Sequence, residues 1–187
     1  FHNDYLPVIL EVSGVADDPA HGRNDERSRA ALYRDPLALG TDGNVYAWGM
    51  NSSGQTGLGP PTTAFVIPAP DKISGISGAE KVYAGSNHSL VVTSGGSVYV
   101  FGDNSNGQLG LALTIKSRPY PVLSLNMNSA SSAGCGAENS YSVSAGKGYV
   151  IGDNYFGQIG NGQKEELDSD PLGIIFPKEI DISLPWS

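Results

Sequence analysis

The chain has 187 residues and a formal net charge of −8. Hydrophobic residues make up 39% and charged residues 16%, while glycine, at 25 residues, runs to about twice its usual share of roughly 7%. This composition speaks against a helical bundle and against a disordered chain, and the acidic balance disfavours nucleic acid, whose phosphates are repelled on average.

The first recognisable segment is the proline-marked "LPVILEVSGV" at 6–15. A charged insertion follows at 16–30, "ADDPAHGRNDERSRA", and then "RAALYRDPLALGTDGNVYAWG", which reads as a β-hairpin with "TDGN" as its turn. A polar phrase, "GMNSSGQTG", occupies 49–57. The same cycle returns with "IPAPDKISGI" at 67–76, the hairpin "SLVVTSGGSVYVFG" at 89–102, and "GDNSNGQLG" at 102–110. It returns again with "YPVLSLNMNS" at 120–129, the hairpin of "AGCGAENSYSVSAGKGYVIG", and "GDNYFGQIG" at 152–160. A last proline-marked segment, "DPLGIIFPKEI", covers 170–180.

A period of about 50 residues built from short strands is the pattern of propeller blades. In "NVYAWG", Val45 and Ala47 alternate with Tyr46 and Trp48, and in "SVYVFG", Val98 and Val100 alternate with Tyr99 and Phe101. Apolar side chains on both faces are expected of a sheet packed between two neighbours. Proline cannot donate to a neighbouring strand, so each proline-marked segment is expected at an outer sheet edge, opening the cycle. The expected units run over 6–60, 67–111 and 120–162, with the start of another at 170–187.

Repetition makes the polar phrase a folding device. Gly49, Gly102 and Gly152 end a strand and are expected at positive φ or at a close backbone approach. Gly54, Gly107 and Gly157 turn the chain back. Asn51, Asn104 and Asn154 are expected to bond nearby backbone, and Gln55, Gln108 and Gln158 to reach the neighbouring blade.

This pattern resembles the repeats of the regulator-of-chromosome-condensation (RCC1-like) family, carried by "AGSNHSLVVTSGGSVYVFGDNSNGQLG" and its two weaker copies. The resemblance implies an all-β, partial β-propeller taken from a seven-bladed ring. Three blades of seven subtend about 150° of such a ring. Two raw blade faces are then left, to be covered by further blades of the same or another chain. It implies a structural role for His88, whose place Asn139 takes in the third repeat and Asp35 in the first. It also implies a non-enzymatic protein–protein interaction or scaffold module with no cofactor. The alternative is a guanine-nucleotide exchange factor for a small GTPase.

Chemical signals are sparse. His2 and His21 have no cysteine or histidine at metal-ligand spacing. The acidic groups at Asp17–Asp18, Asp25–Glu26 and 164–170 do not match a calcium loop, and read as solvated loops. The glycosylation triplets at Asn51 and Asn87 fall inside the repeat pattern. Cys135, the single cysteine, allows no internal disulfide, which fits an intracellular compartment; it is expected to be buried and inert. No run approaches the roughly 18–20 apolar residues of a spanning helix. The start, with Phe1 in place of methionine, is read as that of a processed chain or a piece of a longer one. The insertion holds Arg23, Arg27 and Arg29, with Arg34 just beyond. Arginine suits bidentate contacts to carboxylate or phosphate, so these residues are the expected partner contacts.

Overall fold

Apolar residues alternating with period two, cut every few residues by glycine-bearing turns, fold into short antiparallel strands. The computed structural model describes residues 9–13, 37–60, 65–160 and 178–180. Strands β1 (Ile9–Ser13), β2 (Leu37–Gly40), β3 (Val45–Met50) and β4 (Val66–Lys72) form the first sheet, in that order. The second holds β5 (Ala79–Ala84), β6 (His88–Thr93), β7 (Val98–Asp103) and β8 (Ser117–Leu123). The third holds β9 (Ser132–Cys135), β10 (Asn139–Ser144), β11 (Lys147–Gly152) and β12 (Lys178–Glu179). Three four-stranded antiparallel sheets in one chain are the blades of a partial β-propeller, the fold class expected from the sequence.

Each hairpin closes as its turn residues dictate. In the third, Ala145 and Gly146 both take positive φ, 50° and 77°, between Ser144 and Lys147, which pair across the two-residue turn. In the first, Asp42 accepts from the Asn44 backbone N–H and side chain and from the Tyr46 hydroxyl.

The alternation read from the sequence decides the packing. Val82, Val91 and Phe101 of the second sheet join Leu37, Leu39, Val45 and Ala47 of the first in one buried layer, sealed by Ile73 and Ile76. The other face of the second sheet, Leu90, Val92, Val98 and Val100, packs with Leu109, Met127, Ala130 and Ile151 in the next layer. Every residue of β6 is buried, as its place between two blades requires.

The strand order differs from the expected cycle. Prolines 68 and 70 lie in β4 and prolines 119 and 121 in β8, at the outer edge as expected, but these strands close the sheet begun upstream. The inner strand of each blade comes from segments 79–84 and 132–135. In the first blade that place goes to 9–13, which pairs with β2 and so is an inner strand. The 170–180 segment, read as opening another blade, instead supplies β12, paired with β11 in the third sheet. The reason is physical: proline forbids pairing on one side of a strand and says nothing about which neighbour lies on the other. Residues 73–78 then only have to carry the chain from the outer edge of one blade to the inner strand of the next.

The repeated turn and the blade junctions

Each polar phrase folds into the same pair of tight turns. In the second, Gly107 N–H donates to Asn104 O at 3.0 Å and Gly110 N–H to Gly107 O at 2.9 Å. The Asn104 side chain holds the loop from inside: its Oδ1 accepts from Leu109 N–H at 3.0 Å, and its Nδ2 donates to Ile115 O at 2.8 Å. Asn51 does the same work in the first turn, donating to Gly59 O at 3.0 Å and accepting from the Thr56 hydroxyl at 2.6 Å. Asn154 accepts from Ile159 N–H at 3.0 Å in the third. All three asparagines are buried.

The glutamines act differently from expectation. Gln108 Oε1 accepts from Asn106 N–H at 3.0 Å and its Nε2 donates to Asp103 at 2.9 Å, so the side chain bonds within its own turn. Gln158 repeats this with Phe156 N–H and Asp153. The link to the next blade is made by the glutamine's backbone: Ser89 Oγ donates to Gln55 O at 2.9 Å, and Ser140 Oγ to Gln108 O at 2.6 Å. Both serines are fully buried, so each bond lies within a dry interface. A side-chain amide needs the length to reach a neighbour, but a carbonyl at a tight turn already points outward, and a short serine suffices.

Glycine is demanded where blades and turns press together. Gly102 has φ 103°, and a Cβ there would strike Asn87 O and stand 2.8 Å from His88 Cα. Gly57 and Gly110 of consecutive turns leave room for a large side chain of the following blade: a Cβ would stand 2.9 Å from the Phe101 ring and 3.0 Å from Ile151 Cδ1.

His88 and Asn139 occupy the same register, opposite Gly102 and Gly152. His88 Nε2 lies 3.1 Å from Ser140 Oγ. Because that hydroxyl gives its proton to Gln108 O, it receives one from Nε2–H, which leaves Nδ1 bare; among the described residues Nδ1 has no partner. Burial pushes the His88 pKa down to about 4, partly opposed by the nearby Asn139 backbone and by Asp103, so the ring is neutral at pH 7. Cys135 packs beside the second core layer, and burial pushes its thiol up, away from the reactive thiolate.

Arg23, Arg27 and Arg29, the expected partner contacts, lie outside the described residues, as do Arg34, Asp35, His2, His21 and the three acidic clusters. Among the described residues no group of three or more histidine, cysteine, aspartate or glutamate side chains is placed to hold a metal, and no helix is long and apolar enough to cross a membrane. The Asn51 triplet is occupied structurally, its amide being spent inside the turn.

Two features escaped sequence reasoning although the sequence carried their signal. The residue after the first glycine of the phrase is Met50, then Asp103, then Asp153. Without that aspartate, Gln55 Nε2 is buried with no partner among the described residues. The second feature is a pair of aromatic side chains. The third turn carries Tyr155 and Phe156 where the others carry Ser52–Ser53 and Ser105–Asn106. The two rings meet edge to face at 4.9 Å and are 73% and 76% exposed.

Comparison with known proteins agrees with this geometry. The family model "Regulator of chromosome condensation (RCC1) repeat" matches residues 42–92 and 95–143, more than half of the chain. Human Protein RCC2 is 36% identical over 129 residues, covering 67% of this chain and 24% of that protein. The Ultraviolet-B receptor UVR8 of Arabidopsis thaliana is 36% identical over 134 residues, covering 70% of this chain and 30% of the receptor. The chain thus spans only 24% and 30% of the length of these two relatives. Prp20p of Saccharomyces cerevisiae has the same fold, with a TM-score of 0.69 at 21% identity over 80% of this chain and 36% of its own. With its turns, registers and junctions repeated blade by blade, the chain belongs to the RCC1 repeat family.

Proposed function

We propose that this chain is a non-enzymatic protein–protein interaction module, a propeller segment that works within a larger assembly. One observation carries this reading. Tyr155 stands at the position of Ser105, which remains exposed although the following blade is in place beside it. Neither the turn nor a blade junction therefore asks for a tyrosine there; its backbone N–H alone serves the fold, donating to Asp153 at 3.0 Å. A large exposed aromatic with a polar tip is the kind of side chain that anchors protein interfaces.

Two further facts support it. Prp20p, a structural neighbour, was described together with its binding to Gsp1p and histones. The net charge of −8 favours basic protein surfaces over phosphate backbones. The arginine-bearing insertion remains part of the proposal as a second contact region.

The test is a titration of the chain against Gsp1p and against core histones, with wild type, Tyr155→Ala, and a variant with alanine at Arg23, Arg27 and Arg29. Saturable binding weakened at least roughly tenfold by Tyr155→Ala, with unchanged melting, is the expected result. Binding indifferent to both variants would remove these surfaces from the proposal. Accelerated GDP release from a loaded small GTPase would move the assignment to the exchange-factor alternative.

A further inference from the structure

Where three blades share one plan, side chains that the plan does not require stand out, and two of them meet at a cleft between the second and third blades. The cleft has a volume of about 430 Å³ and lies at the hairpin end of β6 and β7, the end opposite to the polar turn. Every residue lining it is described. Its volume falls within the roughly 300–1,000 Å³ of small-ligand sites.

The first of the two is Lys81. It pairs with Val92 directly after a register shift, as Glu11 pairs with Leu39 in the first blade, and Ser132 pairs with Val143 at the corresponding place in the third. An ammonium, a carboxylate and a hydroxyl at one position show that the fold asks for none of them. Lys81 Nζ donates to Ser131 O of the third blade at 2.9 Å and makes no ion pair among the described residues. An ammonium has three donors, so others remain to be used.

The second is Ser129. Ser124 N–H donates to Val98 O as Ile73 N–H donates to Val45 O, which puts Ser129 at the position of Gly78. Both take left-handed backbone, φ 62° and 67°. Glycine adopts that conformation freely, whereas a side chain strains it. The Ser129 hydroxyl gives the fold nothing in return: it is exposed and makes no hydrogen bond among the described residues. The exposed Ser94 hydroxyl, on the second blade's side of the cleft, is equally unspent. Buried Val92 and Ala130 add an apolar lining.

We propose that this cleft binds a carboxylate carried by a peptide, either its C-terminus or an acidic side chain. Lys81 provides the charge, Ser94 and Ser129 the neutral donors, and Val92 with Ala130 a surface for the adjoining apolar residue. A carboxylate is a stronger acceptor for the ammonium than the neutral Ser131 carbonyl that now holds it. Glu80, exposed at the register shift, also lines the cleft and limits the charge it admits. Lys81 offsets one negative charge, and a dianionic phosphate meets the Glu80 carboxylate uncompensated. The site is separate from the Tyr155 surface and does not rest on it.

The experiment titrates the 187-residue chain with acetyl-Gly-Ala-Val bearing a free C-terminus, with the same peptide amidated, with amidated acetyl-Gly-Glu-Val, and with inorganic phosphate. Amide NMR shifts of Gly95, Ser129 and Ser131 are the readout. Saturable shifts are expected with at least one of the two carboxylate peptides, roughly tenfold tighter than with amidated acetyl-Gly-Ala-Val. Whichever binds names the source of the carboxylate. Lys81→Met should remove this binding and Lys81→Arg retain it. Ser129→Gly, which restores the residue of the equivalent turn, should weaken binding several-fold yet melt no lower than wild type. Glu80→Gln should tighten carboxylate binding and admit phosphate. No saturable shift with either carboxylate peptide would overturn the proposal, as would equal binding of the amidated peptide or full binding by a folded Lys81→Met variant. Phosphate binding wild type more tightly than both peptides would overturn it too, and hand the cleft to a different anion.

Discussion

The first and second polar turns share a backbone and differ in one side chain that matters. Around Asn104 the aspartate answers three groups of the turn: Asp103 takes the Gln108 amide, the Ser105 hydroxyl and the Ser105 N–H. Around Asn51 the same glutamine is just as buried, but Met50 offers it no acceptor. The fold therefore tolerates loss of the aspartate, though not of the glycine or the asparagine. What a repeat keeps in all copies is geometry; what it keeps in two of three is energy.

The sharpest way to break the comparison is at the glycine. Gly102→Val places a branched side chain at φ 103°, against Asn87 O, His88 Cα and Gln55 Cα, all backbone atoms that cannot swing away. A loss of about 4 kcal/mol or more is expected, read as failure to melt cooperatively or as a large drop in the urea midpoint. Gly43→Ala is the control: it also has positive φ, 74°, but opens onto free space. Its cost should be about 1 kcal/mol, the backbone strain alone. Equal costs would show that the backbone crowding around Gly102 has no part in the effect.

Next in size is acid sensitivity at the second junction. His88 titrates in the folded protein near pH 4, against about 6.5 when unfolded, because the charged ring is poorly solvated between blades. Its folded pKa is depressed, so its contribution to stability is fully present above pH 6.5. That contribution is lost progressively as pH falls towards 4, while the unfolded chain takes up the proton. The full loss is about 3 kcal/mol. His88→Asn, which copies the third repeat, should flatten stability between pH 6.5 and 4 relative to wild type. An unchanged slope would mean that other groups carry the acid response.

The sequence disclosed most of this scaffold and misplaced its seams. The three repeats, their hairpins, the alternation and the positive φ of the phrase glycines follow from local rules, and Gly102 and Val98–Phe101 behave as their patterns require. Grouping strands into sheets does not follow from local rules, because Pro119 forbids a neighbour on one side without naming the one on the other. The inter-blade bond was assigned to the wrong atom for a similar reason: Gln108 advertises its side chain in the sequence, whereas its carbonyl, shared by every residue type, is invisible there. Tyr155 and Phe156 were legible as departures from the repeat, and only exposure gave them meaning.

Smaller effects test whether the aspartate is the source of the difference between the two turns. Asp103→Met reproduces the first turn inside the second, leaving the buried Gln108 amide unanswered, at an expected cost of roughly 1–3 kcal/mol. The reverse change, Met50→Asp, gives Gln55 Nε2 the acceptor it lacks, and a gain of about 1 kcal/mol in unfolding free energy is expected. The effects of the two variants should add, leaving a net loss of no more than about 2 kcal/mol, because the sites lie in different turns with no shared partner. Smallest is Asn106→Ala, which removes the exposed bridge to Glu138 and should cost no more than about 0.5 kcal/mol. If Asn106→Ala cost as much as Asp103→Met, the turns would be held together by contact across the junction, with satisfaction of their own buried amides a minor matter.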